Sequence, residues 1–244
     1  MESSETIVAV TCLAFEAHLA AGSGVQVLCG ADSQRLRCEL EIVTESANCC
    51  GILSFGVAGG LDPALVPGDW VVAASVVSAA GRFGVDQTWT RALLAALPGA
   101  IHADISGIDA PLGEPAAKLS LRRTDGTAAV DTESHIAALF ATRQNIPFAA
   151  ARVVLDPAWR RLPPVALVPL RPDGTADLGA IFRSFWQTPS QLGHVLQIVT
   201  DARRAWTSLA GGRRLLGDRL AFPGAAKPAP AAPVWLAPSA AAAP

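Results

Sequence analysis

Three carboxylic acids follow or end predicted strands of this 244-residue chain, at the positions where α/β sheets place their ligands. Glu16 comes after TIVAVT, Glu133 comes after AAV, and Asp156 ends ARVVLD. Each acid also has a plain structural interpretation: an exposed helix residue, a charge at a helix N-terminus and a turn cap, respectively. Taken together, the three predict a site for general acid chemistry and charge-assisted hydrogen bonding.

A glycine-rich segment, GVAGGLDPALVPGD, follows the strand-like run Ile52–Phe55. In it, Gly56, Gly59 and Gly60 fall within five residues. Glycine permits positive φ and close backbone approach, so this predicted loop could hold a ligand against bare main chain. The alternative interpretation is a tight crossover loop that binds nothing.

Composition argues against several classes of function. The net charge of −2 and the pI near 6.1 imply no basic face for nucleic acid. Five cysteines without a C-x-x-C pair and four scattered histidines predict neither a disulfide framework nor a metal site. The N-terminus is acidic and no apolar run approaches about 18 to 20 residues, which argues against a signal peptide and a spanning helix. We therefore expect a cytoplasmic protein.

Strand and helix patterns alternate along the chain, which predicts an α/β fold with mainly parallel strand pairing. The predicted strands are 6–11, 25–29, 52–55, 70–77, 101–105, 128–130 and 148–156. The predicted helices are 15–21, 88–97, 114–124, 134–144 and 189–210. Residues 35–44 carry signals of both kinds. The 51% hydrophobic content supports strands that are buried on both faces.

The chain divides into one predicted catalytic domain, residues 1–222, and a tail, residues 223–244. The tail is rich in alanine and proline and lacks the apolar content to fold, so we expect it to be disordered. Within the domain, IFRSFW contains Phe182, Phe185 and Trp186. This stretch predicts either helix core or an apolar edge that accepts a lipid or touches a membrane.

Two stretches resemble the superfamily of purine nucleoside phosphorylases and nucleosidases. GVAGGLDPALVPGDWVV is similar to its G-S-A-G-G-L…GD-hydrophobic signature. AAVDTESHIAALFATRQNIPFAAARVVLDPA is similar to its V-x-M-E-x-A…N-V-P-F…R-x-x-S-D stretch, and 23 residues separate Glu133 from Asp156. Within the superfamily, RVVLDPAWRRLPP and TCLAFEAHLAAG most resemble the hopanoid-associated phosphorylases. The similarity extends from about Thr6 to Pro164.

The resemblance implies a single-domain fold in which helices flank a central mixed, mostly parallel sheet. It implies that Asp156 protonates or hydrogen-bonds the purine N7 and that Glu133 grips the ribose 2′- and 3′-hydroxyls. Glu16 matches the carboxylate with which nucleosidases orient water. The other substrate-binding residues that the resemblance implies are Thr132, Gly56, Val57, Ala58 and Gly59. It also implies a homo-oligomer, a dimer or a hexamer, with no cofactor other than inorganic phosphate as co-substrate.

Several positions depart from the superfamily pattern, and those at Val57 and Leu155 make the pocket more apolar. Thr132 replaces a methionine, Val57 replaces a serine, and Leu155 replaces the serine before the catalytic aspartate. No aromatic residue occurs at 109–112, where nucleosidases place a purine-stacking phenylalanine. An apolar pocket suits a nucleoside with a large 5′ hydrocarbon, so adenosylhopane is the predicted substrate and hopanoid biosynthesis the predicted pathway.

On the resemblance, we expect a phosphorylase-type glycosyltransferase with phosphate as the nucleophile, and a hydrolase that uses water is the alternative. Ser54 stands where phosphorylases of the superfamily have an arginine, and Val57 where they have a serine. The local residues therefore favour water, whereas the subfamily resemblance favours phosphate. In the second case the positive charge would come from elsewhere, from Arg35, Arg82 or Arg152.

Two other functions compete with adenosylhopane cleavage. One is a nucleosidase that uses water on methylthioadenosine or adenosylhomocysteine. The other is a nonenzymatic nucleoside-binding protein that has kept the fold without turnover. The three acids argue against this last hypothesis.

Overall fold

Strands and helices alternate in the computed structural model, which describes residues 5–30, 32–46, 48–168, 171, 174–175 and 192–224. The strands are β1 (Thr6–Thr11), β2 (Val25–Cys29), β3 (Cys49–Gly60), β4 (Trp70–Ser78), β5 (Gly81–Gly84), β6 (Ile101–Gly107), β7 (Ala129–Asp131) and β8 (Phe148–Asp156). The helices are α1 (Ala14–Ala20), α2 (Ser33–Ser46), α3 (Gln87–Ala96), α4 (Pro115–Asp125), α5 (Ser134–Gln144), a 3₁₀ turn (Pro164–Leu167) and α6 (Leu192–Leu215).

These strands form one mixed sheet in the order β2-β1-β3-β7-β6-β4-β5, and β8 pairs with both β3 and β4. Strands β3, β8, β4, β6 and β7 therefore close into a ring, from which β1 and β2 extend on one side and β5 on the other. Five pairs are parallel, namely β1–β2, β1–β3, β3–β8, β4–β6 and β6–β7. Three pairs are antiparallel. The predicted mixed, mostly parallel sheet is confirmed.

Both faces of the sheet are covered, as the apolar strands predict. Successive residues of β1 point to opposite faces: Val8 and Val10 belong to one hydrophobic cluster, Ile7 and Ala9 to the other. Helices α2 and α5 contribute to the first cluster, α3 and α6 to the second. The sheet is thus packed on both faces, and its strand ends are the places that can hold polar side chains.

The glycine segment differs from its prediction as a loop. Strand β3 continues through Gly60 because Ile52–Gly59 pair with β8 and Gly59–Gly60 pair with β7. Pairing on both edges outweighs the weak strand propensity of glycine. The turn begins only after Leu61.

Two further elements sharpen the predictions. The ambiguous residues 35–44 lie in helix α2, whose first turn is capped by Asp32, because the Asp32 carboxylate accepts from the Arg35 N–H at 2.8 Å. Strand β5, which contains two glycines, was not predicted.

The segment with Phe182, Phe185 and Trp186 and the tail beyond Gly224 lie outside the described residues. None of the described helices combines the length and apolar content that crossing a bilayer requires.

Candidate active site

Glu16 is fully buried, not an exposed helix residue. It lies in the first turn of α1, directly after β1. One carboxylate oxygen accepts the N–H groups of Cys12 and Leu13 at 2.8 and 2.9 Å, and the other accepts the Val57 N–H at 2.7 Å. Three backbone donors therefore fix the carboxylate against the end of β3.

Gly56 is the residue that makes room for Glu16. A Cβ atom built at this position would lie 2.6 Å from the Glu16 carboxyl carbon, and the φ of +145° is one that other residues rarely adopt. The first glycine of the segment is thus explained by a protein carboxylate.

Glu133 is also buried. Its sequence position suggests that it caps helix α5, but the neighbouring Asp131 performs that role instead. Asp131 Oδ1 accepts the Ser134 N–H at 2.8 Å at the start of α5, whereas the Glu133 side chain makes no capping hydrogen bond. The Glu133 carboxylate instead accepts from the Thr132 hydroxyl and faces Arg152. Gly30 makes room for it, since a Cβ there would lie 2.7 Å from Glu133 Cγ.

Arg152 is the centre of this cluster and is completely buried in β8. Its Nε lies 2.9 Å from Asp131 Oδ2, and its Nη2 lies 3.2 Å from Glu133 Oε2. Nη2 also donates to the Ser54 hydroxyl at 2.5 Å, and Nη1 donates to the Val57 carbonyl at 3.3 Å. The guanidinium therefore joins β3, β7 and the start of α5. Because Arg152 pairs with Gly56 across the β3–β8 register, it also lies at the level of Glu16.

Asp156 ends β8 and has a different partner. Its carboxylate makes an ion pair with Lys118 of α4, and the same ammonium donates to the Pro157 carbonyl at 3.0 Å. Lys118 and Asp156 are only 1% and 7% exposed. A Cβ at Gly59 would lie 3.6 Å from both Asp156 carboxylate oxygens, so the second glycine position faces this pair. Gly56 and Gly59, which are about 10 Å apart along β3, thus each lie beside one charged group.

The remaining predicted substrate-binding residues contribute in other ways. Val57 uses its backbone N–H and carbonyl to hold Glu16 and Arg152. Ala58 is buried in the hydrophobic core beside the sheet. Thr132 contacts Glu133 through its hydroxyl. Val57 and Thr132 thus support the charged cluster, whereas Ala58 belongs to the core.

Burial raises the pKa values of all three acids. The pKa of Glu16 is raised by desolvation, which Arg152 and the three backbone donors oppose. Desolvation raises the pKa of Glu133 to about 7, against the effect of Arg152, and nearby Asp131 raises it further. Desolvation raises the pKa of Asp156 to about 6, against the effect of Lys118. Perturbed carboxyl groups of this kind cluster at functional sites.

The three arginines that could have held phosphate all have partners. Arg35 pairs with Glu39 on the surface of α2 at 2.6 Å. Arg82 pairs with Asp104. Arg152 is bound by the two carboxylates described above.

One cleft in the described part of the chain lies apart from the three acids. This cleft of about 390 Å³ lies between β2 and α2 and is lined by Val27, Leu28, Cys29, Arg35, Glu39, Ile42 and Val43. It includes none of the three acids. In the part of the chain that the structure describes, no group of three or more His, Cys, Asp or Glu side chains is arranged to hold a metal ion.

Sequence reasoning missed several members of the site. Lys118 is part of a helix pattern and carries no motif. Asp131 lies directly before Thr132 and Glu133 in the AAVDTES stretch and had no predicted role, and Ser54 was noted only for the arginine it replaces. Gly30 follows a predicted strand, so its position at a strand end could have marked it as a candidate site residue. The partners of Arg152 come from separate elements and could not be paired from the sequence.

Comparison with solved structures places the fold among nucleosidases. The S-adenosylhomocysteine nucleosidase of Streptococcus pyogenes superposes with a TM-score of 0.60 and 16% identity, over 87% of this chain and 97% of that one. The 5′-methylthioadenosine/S-adenosylhomocysteine nucleosidase of Campylobacter jejuni gives 0.58 and 14%, over 80% and 99%. Futalosine hydrolase of Helicobacter pylori gives 0.56 and 13%, over 86% and 97%.

Neither a scan of protein-family models nor a search of curated proteins found a match. The solved structures therefore establish the fold: this chain has the single-domain α/β architecture of the nucleosidases, with a mixed sheet flanked by helices.

Proposed function

We propose that this protein hydrolyses the N-ribosidic bond of a purine nucleoside and releases the base. The observation that carries the proposal is the placement of Glu16, Glu133 and Asp156 along the glycine end of β3, all buried and held by fixed partners. Nucleosidases with the same fold support it. Retention of the three acids argues against a nonenzymatic binding protein.

Each acid has a distinct role in this reaction. Cleavage leaves an oxocarbenium-like sugar and an anionic purine. Glu133 binds the ribose hydroxyls through charge-assisted hydrogen bonds, and the negative charge around it favours the cationic sugar. Asp156 delivers a proton to the purine N7, which is worth roughly 10²- to 10⁴-fold in rate. Glu16 orients the nucleophile and accepts its proton.

The charges around Glu16 favour water over phosphate. Glu16, Glu133 and Asp131 place three carboxyl groups around one guanidinium, and Arg152 is already bound by two of them. A phosphate dianion would be repelled by this group, at a cost of about 1 kcal/mol per charge pair in wet surroundings and more when buried. Phosphorolysis, which the hopanoid-associated resemblance implies, is the alternative.

The proposed substrate is an adenosine with an apolar 5′ substituent. Thr132, Val57 and Leu155 replace residues that are more polar or larger in related enzymes, and the resemblance to hopanoid-associated phosphorylases supports adenosylhopane. The names of the structural neighbours favour methylthioadenosine or S-adenosylhomocysteine as the second candidate. The proposal includes a cytoplasmic homo-oligomer, with peripheral membrane contact as its route to a lipid-linked substrate.

Adenine release from purified protein tests the function and ranks the substrates. Adenosylhopane dispersed in detergent, methylthioadenosine, S-adenosylhomocysteine and adenosine are compared at equal concentration, with the Asp156→Asn variant as the control for contaminating activity. Preferred cleavage of adenosylhopane supports the lipid substrate, and preferred cleavage of a thio-nucleoside supports the second candidate. No adenine from any of the four contradicts the proposal.

A further inference from the structure

Lys118 is the one buried lysine of the described residues, and it lies in the proposed leaving-group site. It is 1% exposed although its helix, α4, otherwise faces outward with charged residues such as Arg122 and Arg123. Its ammonium donates to the Asp156 carboxylate and to the Pro157 carbonyl. These contacts occupy two of its three N–H donors.

A buried ion pair of this kind adds little net stability, so stability alone does not explain its presence. Desolvation of two charges offsets much of their attraction, and apolar replacements of buried pairs are often neutral or stabilising. One other charged group acts on Asp156: Asp201 of α6, which raises the pKa of Asp156 and accepts from Arg160 Nε at 3.0 Å. Arg160 is thus bound to Asp201, and Lys118 is the cation in direct contact with Asp156.

The ion pair determines where a proton for the leaving purine can come from. A carboxylate bound to an ammonium carries no proton of its own, and an anionic Asp156 would repel the purine anion as it forms. The pair as a whole is neutral and holds one transferable proton, on Lys118. A general acid at this site must therefore draw its proton from the pair.

We propose that Lys118 is the positioning residue that supplies the proton Asp156 passes to the leaving purine, an inference that rests on the proposed function. Asp156 takes a proton from Lys118, which becomes a neutral amine. As C1′–N9 breaks, its electron pair goes to the purine, and N7 takes that proton from Asp156. The attacking water bonds to C1′ and gives a proton to Glu16. Solvent then restores the Lys118 proton and receives the Glu16 proton.

A substrate that needs no protonation separates this role from a structural one. p-Nitrophenyl β-D-ribofuranoside releases a stable phenolate, so its cleavage depends on Glu16 and Glu133 and not on a proton for the leaving group. The variants are Lys118→Met and Asp156→Asn. The matched control is Arg122→Met, which removes a cation one turn further along α4, where Arg122 pairs with Asp62 at 2.9 Å.

We expect Lys118→Met to lower kcat/KM for the purine nucleoside by about 10²- to 10⁴-fold, as Asp156→Asn does, with little change for the p-nitrophenyl riboside. Arg122→Met should leave both rates near the wild type. Equal losses on both substrates, or none on either, would overturn the inference while leaving the proposed function intact. A wild-type protein that cleaves neither substrate would instead contradict the proposed function.

The double variant Lys118→Met with Asp156→Asn covers the case in which Lys118→Met does not fold, because it leaves no unpaired buried charge. If the two residues act as one unit, the double variant is no slower on the purine nucleoside than Asp156→Asn alone. A further loss that multiplies the single effects would show that they act independently, and would overturn the inference.

Discussion

The two charged groups along β3 differ in their balance of acidic and basic side chains. Around Gly56, three carboxyl groups surround one guanidinium, so negative charge is in excess once more than one of them is ionised. Near Gly59, one carboxylate meets one ammonium, and the pair is neutral. The first group suits a sugar that becomes positive and a nucleophile that must lose a proton. The second suits a base that becomes negative and must gain one.

The two groups also differ in how many contacts hold their cation in place. Arg152 is fixed by contacts from three elements, and removal of any carboxylate leaves it partners. The Lys118 pair depends on one contact between α4 and β8, supported by the Pro157 carbonyl. We therefore expect the first group to govern stability and the second to govern leaving-group chemistry.

Replacement of Arg152 by methionine should have the largest effect. It would leave Asp131 and Glu133 buried without their cation, at a cost of about 3–5 kcal/mol and a Tm lower by about 6–20 °C. Differential scanning calorimetry measures this. Arg35→Met, which removes an exposed pair with Glu39, is the control and should leave the Tm unchanged. Equal Tm values for the two variants would contradict the assigned role of Arg152.

Asp156→Asn and Glu133→Gln should differ in their kinetics. The first should reduce adenine release at least about a hundredfold, because the purine loses its proton donor. The second should weaken ribose binding and turnover together, so that KM rises as kcat falls. Steady-state kinetics of both purified variants measures this contrast. Wild-type rates in both would remove the catalytic assignment.

Alanine substitutions at Gly56 and Gly59 should differ in their effects on stability and activity. At Gly56 the φ of +145° and a Cβ 2.6 Å from the Glu16 carboxyl carbon predict loss of both stability and activity. At Gly59 the new Cβ would be 3.3 Å from Val130 and 3.6 Å from Asp156, so a smaller effect is expected. Thermal melts and adenine release of Gly56→Ala and Gly59→Ala measure both. The reverse order would show that Glu16 is not held as described.

The smallest expected effect is a pH dependence of stability due to Glu133. Its pKa is raised to about 7 in the folded state, from 4.5. A raised carboxyl pKa stabilises the folded state at acidic pH, and this contribution is lost as pH rises toward 7. The fall in Tm between about pH 5 and about pH 8 should therefore be smaller in Glu133→Gln than in the wild type or in the exposed control Glu41→Gln. An unchanged fall would show that Glu133 is not desolvated.

Elements built on buried apolar runs could be predicted from the sequence with their bounds intact. Strands β1, β2 and β8 and helix α5 begin and end at the predicted residues, because hydrophobic runs and turn residues agree locally there. The end of β3 could not, since its glycines favour a loop until β7 and β8 pair with them. Pairing with these two strands therefore determines that the segment is a strand.

The candidate site was predictable to the extent that strand ends meet at one place. Glu16, Glu133 and Asp156 could be selected because each follows or ends a strand. Their partners could not, since Lys118 comes from a helix 38 residues before Asp156 and Arg152 lies 98 residues from Ser54. Whether a buried acid has a cation is a property of the packed fold.

The identity of the nucleophile tests the central claim, the excess of negative charge around Gly56, most directly. Wild-type protein cleaves a purine nucleoside in H₂¹⁸O with and without inorganic phosphate, and mass spectrometry identifies the sugar. We predict a free sugar that carries one ¹⁸O at C1, formed at a rate that phosphate does not increase. A phosphate-dependent rate with a sugar 1-phosphate product would contradict the account and support a phosphorylase.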